Sequence, residues 1–293
     1  MDAAAEGLEE LRREIDTLDD QIHDLVMRRA EVVGQIGRLK ERAGVVARVA
    51  HRPGREALLI RRLIARHRGA FPKTALARIY REVLGATPRL QGRFAVAVYR
   101  SEDRPGYWDL ARDHYGSWTP LSAFSSPAQV IAQVSRGEAA IGVLPLPRDD
   151  DEELWWPRLL AGDGEAPRIV ARLPFAGHGS PRGGDDIEAL AIAAEEPDES
   201  GDDRSLIVLA GEAEISRARL HDALEAAGLK PSQMLEGHDP TQPGGHLHLV
   251  DVAGVVGADD PRLAALPDKL GDALHRIIRL GGYATPLAAA DLA

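Results

Sequence analysis

The chain has no cysteine. That excludes disulfides, thiolate zinc sites and cysteine nucleophiles, and it suits a reducing compartment. Aromatic residues make up only 4% of it, and Phe71 and Tyr80 are the only ones before Phe94. Stacking on nucleic acid bases therefore has little support in the N-terminal part. No stretch approaches the ~18 uninterrupted apolar residues of a membrane span, and the opening MDAAAEGLEELRRE lacks the basic and apolar regions of a secretory leader. The cytoplasm is the expected location, with neither membrane nor nucleic acid as a partner. No motif announces a cofactor, and none is expected. His246 and His248 fall on one face of a strand, where a metal-ligand reading competes with the commoner one of polar residues alternating on a solvated face.

What is present is a chain of 293 residues, 44% hydrophobic, long enough for two or three cores. Its charge is uneven. Residues 1–93 hold 19 Lys and Arg against 13 Asp and Glu, a net of +6; the remainder holds 17 against 33, a net of −16, which gives the overall −10. The N-terminal segment wants anions, and a small multiply charged acid fits better than nucleic acid.

Residues 8 to about 42 predict one long helix without proline. Its apolar seam runs Leu11, Ile15, Leu18, Ile22, Leu25, Val32, Ile36, Leu39, with Arg29 occupying a seam position. Gly44, Pro53 and Gly54 break the pattern, a second helix follows from Glu56 to His67, and a third from Thr74 to about Gln91. A guanidinium on an apolar seam is costly unless paired, so Arg29 meets either a carboxylate of the protein or a bound anion. Lys40 lies 11 residues on and shares the face, about 16 Å along the axis. Arg12 adds a third cation near the seam, one that an antiparallel partner helix would carry to the middle of the other chain's helix.

These residues, LEELRREIDTLDDQIHDLVMRRAEVVGQIGRLK, then RE after a loop, then YREVLGATPRLQ, resemble the AroQ class of all-helical chorismate mutases across roughly residues 8–93. The resemblance implies an entwined homodimer of three-helix chains whose pockets each borrow one arginine from the partner. It implies Arg12 as that borrowed arginine, Arg29 as the in-chain carboxylate clamp, and Lys40 as donor to the ether oxygen and a carboxylate. It also implies Arg55 and Glu56 at the start of the second helix, Glu56 accepting from the ring hydroxyl, and Gln91 near the end of the third. Taken alone, Gln91 also reads as a solvated helix end, Glu56 as a first-turn acid complementing the helix dipole and Arg55 as a surface charge. Arg52 stands where many relatives carry an acid. The implied substrate is chorismate and the implied reaction its intramolecular rearrangement to prephenate, which needs no nucleophile and no cofactor.

From Phe94 the pattern becomes strand-like: RFAVAVYR, a short helix in SPAQVIAQVSRGE, a buried strand in AAIGVLPLP, then a helix and strand through PRIVARLPF. The connectors AGHGSPRGGDD and EEPDESGDD follow. The last part reads β-α-β-β-α-β, the ferredoxin-like order, with its second helix running through DPRLAALPDKLGDALHRII. The expected organisation is thus an all-α N-terminal domain at 1–93, a small α/β lobe at 94–184 and an α+β ferredoxin-like domain at 185–293. These two later parts resemble, more weakly, the dehydratase and ACT regions of bifunctional chorismate mutase/prephenate dehydratase proteins. Pro147 and Arg148 replace a Glu and Asn of that family, no Thr-Arg-Phe stands near Glu188, Ala189 and Leu190, and the interval is too short for two lobes, so dehydratase chemistry is expected to be lost. An aromatic amino acid is the effector the ACT resemblance implies, though only Leu220 and Glu236 remain of its motifs. Trp155 and Trp156 read as packing residues or an inter-domain contact. Two other functions stay open: an isochorismate pyruvate lyase on the same helical fold, and a non-catalytic aromatic amino acid sensor.

Overall fold

The computed structural model describes residues 3–44, 51–102, 104–151, 153–160, 166–177, 187–212, 215–239 and 244–293. Most of the connector expected in AGHGSPRGGDD, residues 178–186, and residues 45–50 of the break expected after α1 lie outside these residues. Helix α1 (Ala3–Arg42) is 40 residues long, or about 60 Å at 1.5 Å per residue. The predicted seam is there, but it is bare: Leu11, Ile15, Leu18, Ile22, Leu25, Val32, Ile36 and Leu39 are all exposed. Among the described residues of this helix only Val33 is buried, near the point where α1 meets the 3-10 turn at Pro88–Leu90.

Helix α2 (Pro53–Ala65) starts with proline in its first turn, where the missing N–H costs nothing. Helix α3 (Lys73–Ala86) stops before the predicted Gln91. Pro88 cannot continue the i to i−4 ladder, and the chain tightens into the 3-10 turn, which places Gln91 just after it. Ala57, Ile60 and Ile64 of α2 join Ala77 and Leu84 of α3 in a core completed by Phe175 and Ala284 from the α/β part. The helical part thus packs on the body that follows.

That body holds β1 (Val96–Tyr99), α4 (Tyr107–Tyr115), β2 (Leu121–Phe124), α5 (Pro127–Ser135), β3 (Ile141–Pro145), β4 (Arg168–Leu173) and β5 (Ala189–Ala193). It continues with β6 (Asp203–Gly211), α6 (Arg217–Ala226), β7 (Pro231–His238), β8 (His246–Ala253), α7 (Pro261–Ala264), α8 (Leu266–Leu270), β9 (Arg276–Ala284) and α9 (Ala289–Leu292). The nine strands form one sheet in the order β2-β1-β3-β5-β4-β9-β6-β8-β7. β1 pairs in parallel with β2 and β3, whereas β5 runs antiparallel between β3 and β4. β5 falls after position 184, where the sequence reading ends its middle segment, yet it pairs with strands of that segment. Strands β9-β6-β8-β7 are antiparallel throughout, in the order of a β-α-β-β-α-β plait. The long helix expected through Ile278 is instead two short helices and a 3-10 turn at Gly271–Ala273. Gly271 takes φ +64°, and the β-branched Ile277 and Ile278 enter β9 beside β6.

The two halves meet where Ile169 of β4 pairs with Gly281 of β9. Both strands are irregular there: the β4–β5 register shifts between Ile169 and Ala171, and the β6–β9 register shifts between Leu206 and Ile207. Gly281 has φ +133°, and a Cβ on it would lie 2.1 Å from the Ile169 carbonyl oxygen, so only glycine permits this approach. One core covers a face of both halves, taking Leu144, Leu190 and Ile192 from one and Leu206, Leu235 and Leu249 from the other. Trp155 and Trp156 sit in it, Trp155 donating from Nε1 to the Pro145 carbonyl at 3.0 Å. Gly237 leaves the room that Trp156 fills, since a Cβ there would come within 2.8 Å of its ring. The tryptophans are packing residues and also join the two halves.

Candidate active site

A cavity of about 720 Å³ opens between α1, α2 and the end of α3. Arg29, Lys40, Arg55, Glu56 and Gln91 all line it. Arg12 does not: it lies about 25 Å up α1 from Arg29, exposed, with its guanidinium on Glu9. Among the described residues, five cations, Arg29, Lys40, Arg52, Arg55 and Arg62, surround the single carboxylate of Glu56. A cavity so charged suits a small dianion.

Arg29 is half-buried and donates from Nη1 to Thr87 Oγ1 at 2.8 Å. The Thr87 hydroxyl donates in turn to the Val83 carbonyl at 2.9 Å, so its lone pairs face the guanidinium and fix its direction. Burial lowers the Arg29 pKa, opposed by Glu56 and Tyr80 and reinforced by Arg55; the guanidinium stays a cation nonetheless. Arg29 therefore meets a hydroxyl of the protein and faces the cavity with no ion pair among the described residues. Gln91 lies over Gly37 of α1, where a Cβ would be 3.1 Å from its Cγ. The glycine in EVVGQIGRLK is what admits the amide to the pocket.

Glu56 is partnered from behind. Its Oε2 accepts from Arg81 Nη1 at 3.0 Å, and its Oε1 is 3.6 Å from His51 Nε2. The expected contact of Glu56 with a substrate hydroxyl would thus use a carboxylate already held by a buried arginine. Arg81 packs its guanidinium 5.4 Å from the Phe175 ring centroid, with Arg61 at the same distance from that ring. Sequence reasoning missed Thr87, Arg81 and Gly37. Arg81 carried the same signal as Arg29, a lone cation among the apolar positions Tyr80, Val83 and Leu84 of its helix.

Behind Arg81 lie two buried histidines. Burial lowers the His51 pKa, partly offset by Glu56, and holds His114 well below the ordinary histidine value, with Arg81 and His51 adding to the shift. Both are neutral in the folded protein at neutral pH, while the unfolded chain takes up protons below about pH 6.5. The stability they permit is complete above that pH and is lost as pH falls. His114 alone should remove about 1.4 kcal/mol for each pH unit below the unfolded value. Urea unfolding at pH 7.5 and pH 5.5 measures this, and equal stabilities would mean that these histidines titrate normally in the folded state.

Elsewhere the expected residues do other work. Leu220 is fully buried in the core under α6, and Glu236 forms an exposed ion pair with Arg217, which also reaches Asp149. His248 is buried in β8 and so is not on a solvated face; His246 stacks edge-on with His238 at 5.6 Å. Among the described residues, no group of three or more His, Asp or Glu is disposed to hold a metal, and no helix is long and apolar enough to cross a membrane.

Known proteins share parts of this arrangement. Residues 11–92 match the family model for chorismate mutase type II. The bifunctional chorismate mutase/prephenate dehydratase of Aquifex aeolicus is 30% identical over 145 residues, covering 48% of this chain and 39% of that protein. Its namesake from Stutzerimonas stutzeri is 28% identical over 144 residues, with the same coverage. The match spans about two fifths of the length of these relatives. A solved prephenate dehydratase from Streptococcus mutans overlays 66% of this chain and 98% of its own at 13% identity and a TM-score of 0.46. The cavity between α1, α2 and α3 thus lies in the segment that matches the chorismate mutase type II family, followed in this chain by an α/β body.

Proposed function

We propose that the helical cavity rearranges chorismate to prephenate in a homodimer, without a cofactor. The observation that carries this reading is the convergence of Arg29, Lys40, Arg55, Glu56 and Gln91 on one cavity inside the matched segment. An intramolecular rearrangement asks a protein to hold a reactive conformer and to stabilise charge growing on the ether oxygen. Arg29 and one further guanidinium grip the two carboxylates, while Lys40 and Gln91 donate to the oxygen whose bond breaks. Arg12 is that further guanidinium, supplied by the partner. The bare seam of α1 supports the dimer, since a second α1 running antiparallel would cover it and bring Arg12 to the other chain's cavity.

On this reading the chain has three units, a mutase domain, a small α/β lobe and an ACT-like regulatory domain, with the second boundary moved past β5. Dehydratase activity is absent. Following chorismate loss and prephenate appearance with the purified chain tests the mutase; salicylate and pyruvate from isochorismate would mark a lyase instead. Prephenate incubated with the protein should give phenylpyruvate only at the uncatalysed background rate, and a saturable signal would show a working dehydratase site.

The shared cavity has a sharp test. Arg12→Ala and Arg29→Ala should each be inactive alone. In a mixture unfolded and refolded together, half the dimers are mixed and each has one intact site, so about one quarter of wild-type activity should return. No recovery would place Arg12 outside the partner's cavity.

A further inference from the structure

The first turn of α2 carries Arg55 and Glu56 into the cavity, yet among the described residues nothing local caps it. Its N-cap residue, Arg52, makes no side-chain capping bond. The cap comes instead from 143 to 146 residues away. Asp198, in the segment between β5 and β6, accepts from the Gly54 N–H at 2.9 Å through Oδ1, from the Arg55 N–H at 3.0 Å through Oδ2, and from Arg52 Nε at 3.1 Å. One carboxylate satisfies two of the orphan donors of the helix and complements the positive end of its dipole. Gly54 is required by the approach, because a Cβ there would stand 2.2 Å from the Asp198 carbonyl oxygen.

The same segment grips α2 two turns later. Arg61 donates to the Ser200 hydroxyl at 2.9 Å and to the carbonyls of Ser200, Asp202 and Thr285 at 3.1, 2.8 and 2.7 Å. The segment is itself braced, for Asp203 accepts from the Ser200 and Gly201 N–H groups and from the Ser200 hydroxyl. The gripping segment, Asp198 to Asp203, lies outside the part of the chain that matches the mutase family, whereas the helix it holds lies inside it.

We infer that Asp198 is a positioning residue for the helical cavity: by capping α2 from the α/β body it fixes the backbone of Gly54 and Arg55, and so the placement of Arg55 and Glu56 and of its own ion-pair partner Arg52. The inference rests on the mutase reading for its catalytic consequence. It departs from the sequence expectation, under which residues 1–93 hold everything the site needs.

The test uses the full chain. Asp198→Ala should raise the KM for chorismate about tenfold with kcat changed less than about threefold, since a loosened first turn weakens the grip on substrate before and during reaction alike. Asp198→Asn, nearly isosteric, is the second variant should the alanine chain fail to fold, and it should give a smaller rise. Glu199→Ala removes the exposed neighbouring carboxylate and should leave both constants unchanged. Amide exchange at Gly54 and Arg55 should quicken in Asp198→Ala while the β6–β9 amides keep their protection. Unchanged KM in both Asp198 variants overturns the positioning role, and unchanged exchange at Gly54 and Arg55 overturns the cap. Inactive wild-type protein would instead overturn the mutase reading, and with it the catalytic half of this inference; amide exchange would still decide the cap.

Discussion

Arg29→Ala should lower kcat for chorismate about 10²- to 10³-fold while leaving a folded protein, and Lys40→Ala should do the same. Both cations sit on a helix face that runs along the cavity, and Arg29 is held in place by Thr87, itself tied to Val83. Such a donor costs no reorganisation at the moment of reaction, which is why its loss falls on kcat. Neither truncation opens the core of the helical part, which is built on Ala57, Ile60, Ile64, Ala77 and Leu84. Steady-state kinetics with circular dichroism on the same preparations checks both halves of the expectation. Turnover near that of wild type in either variant would remove the clamp from the mechanism.

The largest effect on stability is expected at the junction of the sheet halves. Gly281→Ala places a Cβ 2.1 Å from one backbone oxygen of Ile169 and 2.6 Å from its nitrogen, at a φ of +133° that side chains rarely adopt. A clash against backbone inside a sheet is not relieved by a rotamer change, and the substitution should cost about 3 kcal/mol or more. For a chain of this size that is a fall in Tm of roughly 6 to 12 °C. Gly254→Ala is the comparison: its φ is +87°, but nothing lies within 4 Å of its Cβ position, so it should cost about 1 kcal/mol through strain alone. Similar melting temperatures for the two variants would mean that β4 moves away from β9 at little cost.

The parts of this molecule that could be read from sequence are those written in local periodicity. The α1 seam, its interrupting Arg29 and its Lys40 follow from a repeat of three and four residues. β3, β4, α5 and the four strands of the plait announce themselves as apolar runs between turns. What stayed hidden depends on contacts distant in sequence. ALAIA, residues 189–193, is too short and too rich in alanine to declare itself a strand, and it becomes β5 because β3 and β4 offer an edge on either side. In YWDLARDHY the buried Tyr107, Leu110, Ala111, His114 and Tyr115 do recur at helical spacing, but over only nine residues and with a histidine in the seam; α4 packs Leu110 and Tyr115 under β1 and β3. In the site, the residue types and spacings indicated Arg29, Lys40, Arg55, Glu56 and Gln91, whereas no spacing could link Asp198 to Gly54 or Arg81 to Glu56.

The single core shared by the two sheet halves has a dynamic consequence. Enzymes built from two lobes commonly close on a substrate by bending at a hinge, a few residues that change φ and ψ while each lobe stays rigid. Here Trp156 fills the notch at Gly237, Leu190 and Leu206 belong to one cluster, and β4 is bonded to β9, so bending between the halves would tear packed side chains apart. Among its described residues the body has no hinge, and it should open only by unfolding as a unit, its most protected amides on both sides of Gly281 exchanging at one common rate.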